Sequence, residues 1–260
     1  MQAILKSYNL AAFGCVSFQH LNFFDVRSKG RIPQNSTTAI AIIFPYFSKK
    51  SMEGNISAYC AVQDYHIVVM EQLKSICADL KAAYPDCSFE PFVDASPIDE
   101  VDLAVKAGLG VKGDNSLLIT EKWGSFVFIG EIVTDMKCET VLYSVKGCAK
   151  CGRCSAACPG GAIKDGVVDT AKCASHISQK KGELTEAETA ILKKAKTVFG
   201  CDICQKVCPH NTGIEESKNL FSDNIINTVQ KDTVAAIYKS RAFGFRGLKT
   251  LERNLEIYAE

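Results

Sequence analysis

The chain has 260 residues, 47% of them hydrophobic, and a formal net charge of +1. That is enough chain for one large or two medium domains with real cores, and the balanced charge excludes a strong global attraction for nucleic acid or membrane. The start, Met-Gln-Ala-Ile-Leu-Lys-Ser-Tyr, has no basic leader ahead of an apolar signal core, and no apolar run approaches the roughly 18 residues of a membrane helix; a soluble cytoplasmic protein is expected.

Residues 1–142 read as alternating helix and strand. Ala3 to Tyr8 suits a short helix and Ala11 to Phe18 a strand, while the basic stretch Asn22 to Gln34 reads as a loop. Thr38-Ala-Ile-Ala-Ile-Ile-Phe44 is a β-branched run of strand length ended by Pro45. From Tyr65 to Ala83 apolar residues recur at helical spacing (Val68, Val69, Leu73, Ile76, Cys77, Leu80), and Pro85 stops the pattern. Ser88 to Asp94 predicts a short strand and Ile98 to Lys106 a second helix stopped by Gly108. Ser116 to Ile119 and Ser125 to Ile129 predict a hairpin pair around Trp123-Gly124. Strands alternating with helices favour an α/β sandwich. Residues 143–212 form a cysteine-rich segment with a small hairpin over Ala162 to Asp169 and a charged helix over Glu186 to Lys196. In residues 213–260, Ile225 to Val229 and Thr233 to Leu251 read as amphipathic helix.

Thirteen cysteines are present, and eight fall in one stretch. Cys148, Cys151, Cys154 and Cys158-Pro159 follow C-x2-C-x2-C-x3-C-P, the bacterial ferredoxin pattern for cubane iron–sulfur clusters. The second run, Cys201-Asp-Ile-Cys204-Gln-Lys-Val-Cys208-Pro209, is one cysteine short. In two-cluster ferredoxins the fourth cysteine of each run ligates the other cluster. Cys148, Cys151 and Cys154 then take Cys208, while Cys158 joins Cys201 and Cys204. The missing ligand falls to Cys173, the one cysteine between the runs, and the total is eight thiolates for two 4Fe–4S clusters. Paired C-x2-C runs also build zinc ribbons, but those do not use triple-cysteine runs ending in Cys-Pro. Cys15, Cys60, Cys77, Cys87 and Cys138 have no common spacing and read as small buried hydrophobes of a reducing compartment.

With Asp64-Tyr65-His66, Val93-Asp94, Ala107-Gly-Leu-Gly110, Asn115-Ser-Leu-Leu-Ile119, Gly124 to Glu131 and the two cysteine runs in view, the chain resembles the epoxyqueuosine reductases over roughly residues 27–212. These are cobalamin- and iron–sulfur-dependent enzymes of tRNA modification, related in architecture to reductive dehalogenases. The resemblance implies an N-terminal α/β domain (1–142) binding cobalamin and substrate, a ferredoxin-like domain (143–212) with two 4Fe–4S clusters, and a helical tail (213–260). It also implies electrons passing through the clusters to cobalt, with Asp94 donating a proton as the epoxide opens. Tyr65, His66, Asp94, Gly108, Gly110 and Asn115 match positions near the cofactor. Read without the resemblance, Asp94 begins a turn before a helix as a solvated or capping aspartate, Tyr65-His66 is a half-buried aromatic pair, and Gly108 and Gly110 serve a tight turn. A carboxylic acid buried beside a corrin is expected to have a raised pKa.

The chain departs from the family pattern in three places. Ser57 to Gln63 lacks the Arg and Trp-Gly usual before Asp-Tyr-His. Asp114 stands where Lys is common. The family's tRNA-binding helical repeats are expected to be missing, although Arg241, Arg246, Lys249 and Arg253 offer charge for phosphate. A cobalamin-dependent reductase acting on epoxyqueuosine in tRNA or on another small substrate is therefore expected, with an electron donor such as ferredoxin or flavodoxin and a monomeric state. The alternative is a ferredoxin-type electron-transfer protein that docks a partner reductase and has no turnover of its own.

Overall fold

The computed structural model describes residues 1–24, 26–137, 147–218 and 220–260; Cys138 and the expected boundary at 142 lie outside them. Helix α1 (Gln2–Ser7) leads into strands β1 (Ala12–Ser17) and β2 (Thr38–Pro45). A short α2 (Ala58–Ala61) precedes the long α3 (Tyr65–Ala83), then β3 (Phe89–Val93), α4 (Glu100–Lys106), β4 (Val111–Lys112), β5 (Leu118–Ile119) and β6 (Val127–Thr134). These bounds fall within two residues of the expected ones for α1, β1, β2, β3 and α4, and match for α3.

Four strands form one sheet in the order β1-β2-β6-β3, every neighbouring pair antiparallel. The continuous apolar run of β2 follows from this central place: all eight residues are buried because both faces are covered. The period of two divides it. Ile40, Ile42 and Phe44 pack with Val69, Leu73, Ile76 and Leu80 of α3; Ala39, Ala41 and Ile43 pack with Leu103 and Ala104 of α4. The fold is therefore mixed α/β, with a helix on each face of the sheet.

The hairpin expected between Ser116–Ile119 and Ser125–Ile129 is not formed. Leu118–Ile119 pairs with Val111–Lys112, and Val127–Thr134 joins the main sheet between β2 and β3. One bridge, Thr120 to Gly124, links the two segments; there the Thr120 N–H donates to the Gly124 carbonyl at 2.8 Å. The flanking residues alternate well enough for a hairpin, but β6 gains two sheet partners and full burial by leaving.

The cysteine-rich segment holds α5 (Arg153–Ala157), the hairpin β7 (Ile163–Lys164) and β8 (Val167–Val168), α6 (Ala174–Ser178), α7 (Glu186–Ala195) and α8 (Ile203–Lys206). Asp165 and Gly166 both have positive φ, the Asp-Gly turn a two-residue hairpin requires. Thr185 and Glu188 close a capping box at the start of α7.

The tail is less helical than its pattern. It contains α9 (Val234–Ile237) and α10 (Leu248–Ala259), separated by 3-10 turns, with Gly247 at φ 84°. Ile225–Val229 is not helical, because its backbone bonds elsewhere. The Ile226 N–H donates to Ala61 O at 2.8 Å, and Asn227 O accepts from Asn55 N. The Asn55 side chain pairs both backbone groups of Val229. Phe243, Val234 and Leu251 complete a buried cluster with Ile56, Cys60 and Phe199, so the tail cements the two preceding segments together.

Buried Asp202 ties α2 to the cysteine-rich segment. It accepts from the Ser57 hydroxyl and, at 2.7 Å, from the Ala58 N–H. Asp202→Ala would leave both donors unpaired in the interior, and about 1–3 kcal/mol of stability should be lost. A lowered denaturant midpoint checks this; an unchanged midpoint would remove Asp202 as a clamp. Among the described residues no helix is long and apolar enough to cross a membrane.

Candidate active site

A cleft of about 400 Å³ opens between the sheet and the cysteine-rich segment. Its sheet-side wall carries Tyr46, Tyr65, Phe128 and Ile129, with Glu100 and Val101 from the start of α4. The opposite wall carries Cys158, Cys173, Cys201 and Cys204. Tyr65 and Tyr46 both stack on Phe128, at 4.3 Å and 4.2 Å between ring centroids, so that the three rings form one aromatic stack in that wall.

The eight cysteines separate into two fours. Cys158, Cys173, Cys201 and Cys204 share the cleft. Cys148, Cys151, Cys154 and Cys208 line a separate cavity together with His210. All eight thiols are free, and Cys158 Sγ accepts the Ala162 N–H at 3.3 Å. Burial pushes the Cys201 and Cys204 thiols up, to about 11 and about 12, against the pull of their hydrogen bonds. Thiolates in such a place require a nearby positive centre, which iron supplies. No three Cys, His, Asp or Glu side chains among the described residues stand close enough to hold a single ion. Each four lines one cavity, and a cube of iron and sulfur takes four thiolates around one volume. Cys60, Cys77 and Cys87 are free, the first two buried; Cys15 departs from the expected free thiol and is disulfide-bonded.

Beside the Tyr65 ring, 4.0 Å from it at His66, sits a polar triad. Asp64 caps α3, accepting the His66 N–H at 3.0 Å and contacting His66 Nδ1 at 2.7 Å. His66 Nε2 lies 3.4 Å from Asp94 Oδ2. Burial draws the imidazole down, but hydrogen bonds to both aspartates outweigh it and hold its pKa at about 9. Asp94 follows β3 with φ 60°, and its side chain is 59% exposed. The His66 hydrogen bond holds its carboxyl below the usual range in spite of partial burial, with the imidazolium charge and Tyr65 adding to that effect. The raised pKa expected of Asp94 is thus overturned: a histidine on α3 keeps the proton. Nor does Asp94 cap the next helix, since Asp99 accepts the Asp102 N–H at 3.1 Å.

The other expected residues divide. Tyr65 and Asn115 line the cleft, and Asn115 also lines the second cysteine cavity and hydrogen-bonds Cys204. Asn115 therefore stands between the two cysteine sets. His66 and Asp94 adjoin the cleft through the Tyr65 ring and are not among its lining residues, and neither are Gly108 and Gly110. Gly108 takes φ 75° after α4, and a Cβ on Gly110 would lie 2.4 Å from Ile119 O. Both shape the turn beneath the cleft. Arg241 is buried and donates to the Asn224 and Ser240 carbonyls; Arg253 donates to the Lys180 and Gly182 carbonyls.

Two acids not singled out from the sequence belong to the same region. Glu131 on β6 is 1% exposed. Its Oε2 accepts from the Ser96 hydroxyl, while Oε1 is buried without a partner. Burial pushes Glu131 up to about 8, against the Ser96 hydrogen bond. A folded pKa above the 4.5 of an exposed glutamate means that this contribution to stability is present below about pH 4.5 and lost as pH rises to about 8. Glu131→Gln should flatten that slope in chemical denaturation; an unchanged pH dependence would place the titration elsewhere. The signal in the sequence was a charged residue inside an apolar strand, Ile129-Gly-Glu-Ile-Val133.

Residues 147–211 match the family model of the 4Fe–4S double cluster binding domain, and residues 30–95 match that of epoxyqueuosine reductase QueG, DUF1730. The epoxyqueuosine reductase of Cyclobacterium marinum is 37% identical over 200 residues, covering 73% of this chain and 64% of that protein. That of Lactococcus garvieae is 30% identical over 263 residues, covering 93% and 74%. Among solved structures, the Streptococcus thermophilus epoxyqueuosine reductase superposes with TM-score 0.84 at 23% identity, covering 99% of this chain and 79% of that one. An epoxyqueuosine reductase holding an epoxyqueuosine-modified tRNA-Tyr stem loop gives TM-score 0.82 at 20% identity, covering 99% and 80%. With its double-cluster cysteines, its cleft and this likeness along nearly its whole length, the chain belongs to the epoxyqueuosine reductase family of iron–sulfur oxidoreductases.

Proposed function

We propose that this chain passes electrons through two 4Fe–4S clusters to cobalamin for the reductive deoxygenation of epoxyqueuosine in tRNA. The observation that carries the reading is the cleft itself, which brings one complete cysteine four together with Tyr46, Tyr65 and Phe128, while the Asp94–His66 pair adjoins it behind the Tyr65 ring. An electron carrier has no use for a proton-bearing pair beside an open apolar cleft. Cys148, Cys151, Cys154 and Cys208 would hold one cluster, and Cys158, Cys173, Cys201 and Cys204 the other. Residues 1–142 would supply the cofactor and substrate side, residues 143–212 the clusters, and the tail the clamp between them.

Bound at the cleft, cobalamin would supply a strongly reducing cobalt centre; Leu118, Val127, Phe128 and Ile129 offer an apolar wall against which a corrin would rest. The protein's own part is proton management and exclusion of water. His66 stores a proton at neutral pH between Asp64 and Asp94, and Asp94 is the member of the triad most open to a ligand. The proton would travel from His66 Nε2 to Asp94 Oδ2, and from there to the departing oxygen. An electron donor of the ferredoxin or flavodoxin class would dock near the exposed Cys151, at the cluster remote from the cleft, in the cytoplasm.

The test is anaerobic reconstitution followed by titration with cob(II)alamin. A base-off electron paramagnetic resonance signal, together with conversion of epoxyqueuosine to queuosine in tRNA, is expected. Absence of any spectral change on adding cobalamin would return the chain to the carrier reading.

A further inference from the structure

The imidazole of His210 has a buried nitrogen with no protein group to bond. Its Nε2 is shut off from solvent and has no hydrogen-bond partner among the described residues. A polar group buried in that way is costly, and native proteins rarely leave one without a reason. The same side chain lines the cavity of Cys148, Cys151, Cys154 and Cys208.

The chain around His210 fixes it there. Pro209–Asn211 is a 3-10 turn, in which the Asn211 N–H donates to Cys208 O at 3.0 Å and the Thr212 N–H to Pro209 O at 3.1 Å. Asn211 then locks the turn from the other side. Its Oδ1 accepts the Ser125 N–H at 2.8 Å, and its Nδ2 donates to Ser125 Oγ at 2.9 Å and to Gln205 O at 2.8 Å. Gly124 leaves the room for this clamp, since a Cβ there would lie 1.9 Å from Asn211 Oδ1. With Pro209 held by its ring and Asn211 by its hydrogen bonds, the imidazole between them has little freedom to turn to another partner.

The chemistry of the cavity supplies an acceptor. Four thiolates around a cube present sulfur to the cavity wall, and sulfur accepts N–H groups in this protein: Cys158 Sγ takes the Ala162 N–H at 3.3 Å in the other four. Asp114 and Arg153 line the cavity of His210 as well, but their charges are opposite and so their effects on a cluster oppose each other. No histidine lines the cleft that holds the other four.

We propose that His210 Nε2–H donates a hydrogen bond to a sulfur of the cluster held by Cys148, Cys151, Cys154 and Cys208, and thereby raises that cluster's reduction potential. The assignment rests on the two-cluster reading of the cysteines. In the step it serves, the donor protein loses one electron and the cluster gains it; no bond to His210 breaks, and the proton stays on Nε2. The reduced cluster is one charge more negative, so the N–H binds it more strongly than the oxidised one, and hydrogen bonds to the sulfurs are among the levers that set such potentials. The cluster concerned is the one beside exposed Cys151, so His210 eases the entry of electrons at the end of the path remote from the cleft. It is a tuning residue and touches no substrate.

Potentiometric titration of the cluster-loaded protein, without cobalamin, at one pH and followed by electron paramagnetic resonance, tests this. His210→Leu should keep about eight irons. At a fixed applied potential the reduced-to-oxidised ratio of one cluster should fall on the order of tenfold, a drop of about 59 mV for one electron, while the other cluster stays in place. The signal that moves should be the one that survives in Cys173→Ser. His210→Gln keeps an N–H near the position of Nε2 and should recover most of the ratio. Unchanged potentials in a fully loaded His210→Leu, or equal shifts in both clusters, would overturn the assignment. A second measurement needs no variant. Wild-type protein carrying isotopically labelled histidine nitrogen should show, in pulsed resonance of the reduced state, a coupling to that nitrogen and a proton coupling that heavy water removes. Absence of both from every cluster signal overturns the hydrogen bond. Fewer than eight irons in the wild type would count against the two-cluster reading instead, and the nitrogen coupling would still decide His210.

Discussion

Cys173→Ser should cut the iron content of anaerobically reconstituted protein from about eight per chain to about four and abolish turnover. Cys173 stands outside both cysteine runs, at the N-terminus of α6, where it caps the helix with extended backbone. It acts electrostatically on both Cys201 and Cys204 and lines the cleft with them and Cys158. Its removal leaves three thiolates for the cluster that faces the cleft. The remote four are untouched, so their electron paramagnetic resonance signal should survive while electrons no longer reach the cleft. Cys87→Ser, half-buried and distant in sequence from either run, should retain all the iron. Eight irons in Cys173→Ser would return the second cluster's fourth ligand to the open question that the short second run poses.

The legible parts of the chain were those with local causes. The cysteine spacing is one, because three thiolates two residues apart wrap a cube without help from elsewhere. Helix α3 is another: its apolar stripe, the Asp64 cap and Pro85 all point to the same bounds. The hairpin over Trp123-Gly124 and the helix over Ile225–Val229 failed for one reason. In each, the local pattern was sound, but the backbone had distant partners. β6 is claimed by strands β2 and β3, and Val229 is held by Asn55 from 174 residues away. Amphipathic periodicity carries no record of such partners.

The site was legible as a set of residues and not as a set of protonation states. Tyr65, His66 and Asp94 do come together, yet the expected acid is the ionised member. Asp64, which entered only as part of the Asp64-Tyr65-His66 stretch, holds the other side of the imidazole. Glu100 gave no signal, because neither spacing nor residue type distinguishes a buried glutamate at a helix start from a solvated one; Glu131 stood out only as a charge inside an apolar strand, and the sheet register, which sets it opposite Phe92 and Ala41, is what buries it.

Asp94→Asn should lower turnover by about 10²- to 10⁴-fold while iron content and cobalamin affinity stay at wild-type values. The carboxylate is one of two that fix His66, and it is the more exposed of them. Asparagine keeps the shape and can still accept from Nε2, but it carries no charge and cannot relay a proton. The pH profile separates this role from a positional one. In the wild type His66 is held at about 9, raised above the 6.5 of a free imidazole. Activity that depends on its proton is therefore retained at neutral pH and lost as pH rises through about 9. In Asp94→Asn only Asp64 still supports the charge, so the residual activity should decline at lower pH than in the wild type. His66→Gln should remove the alkaline limb altogether and leave a low, flat rate. Equal turnover in Asp94→Asn, or an alkaline limb that stays at the wild-type position, would remove Asp94 from the proton path.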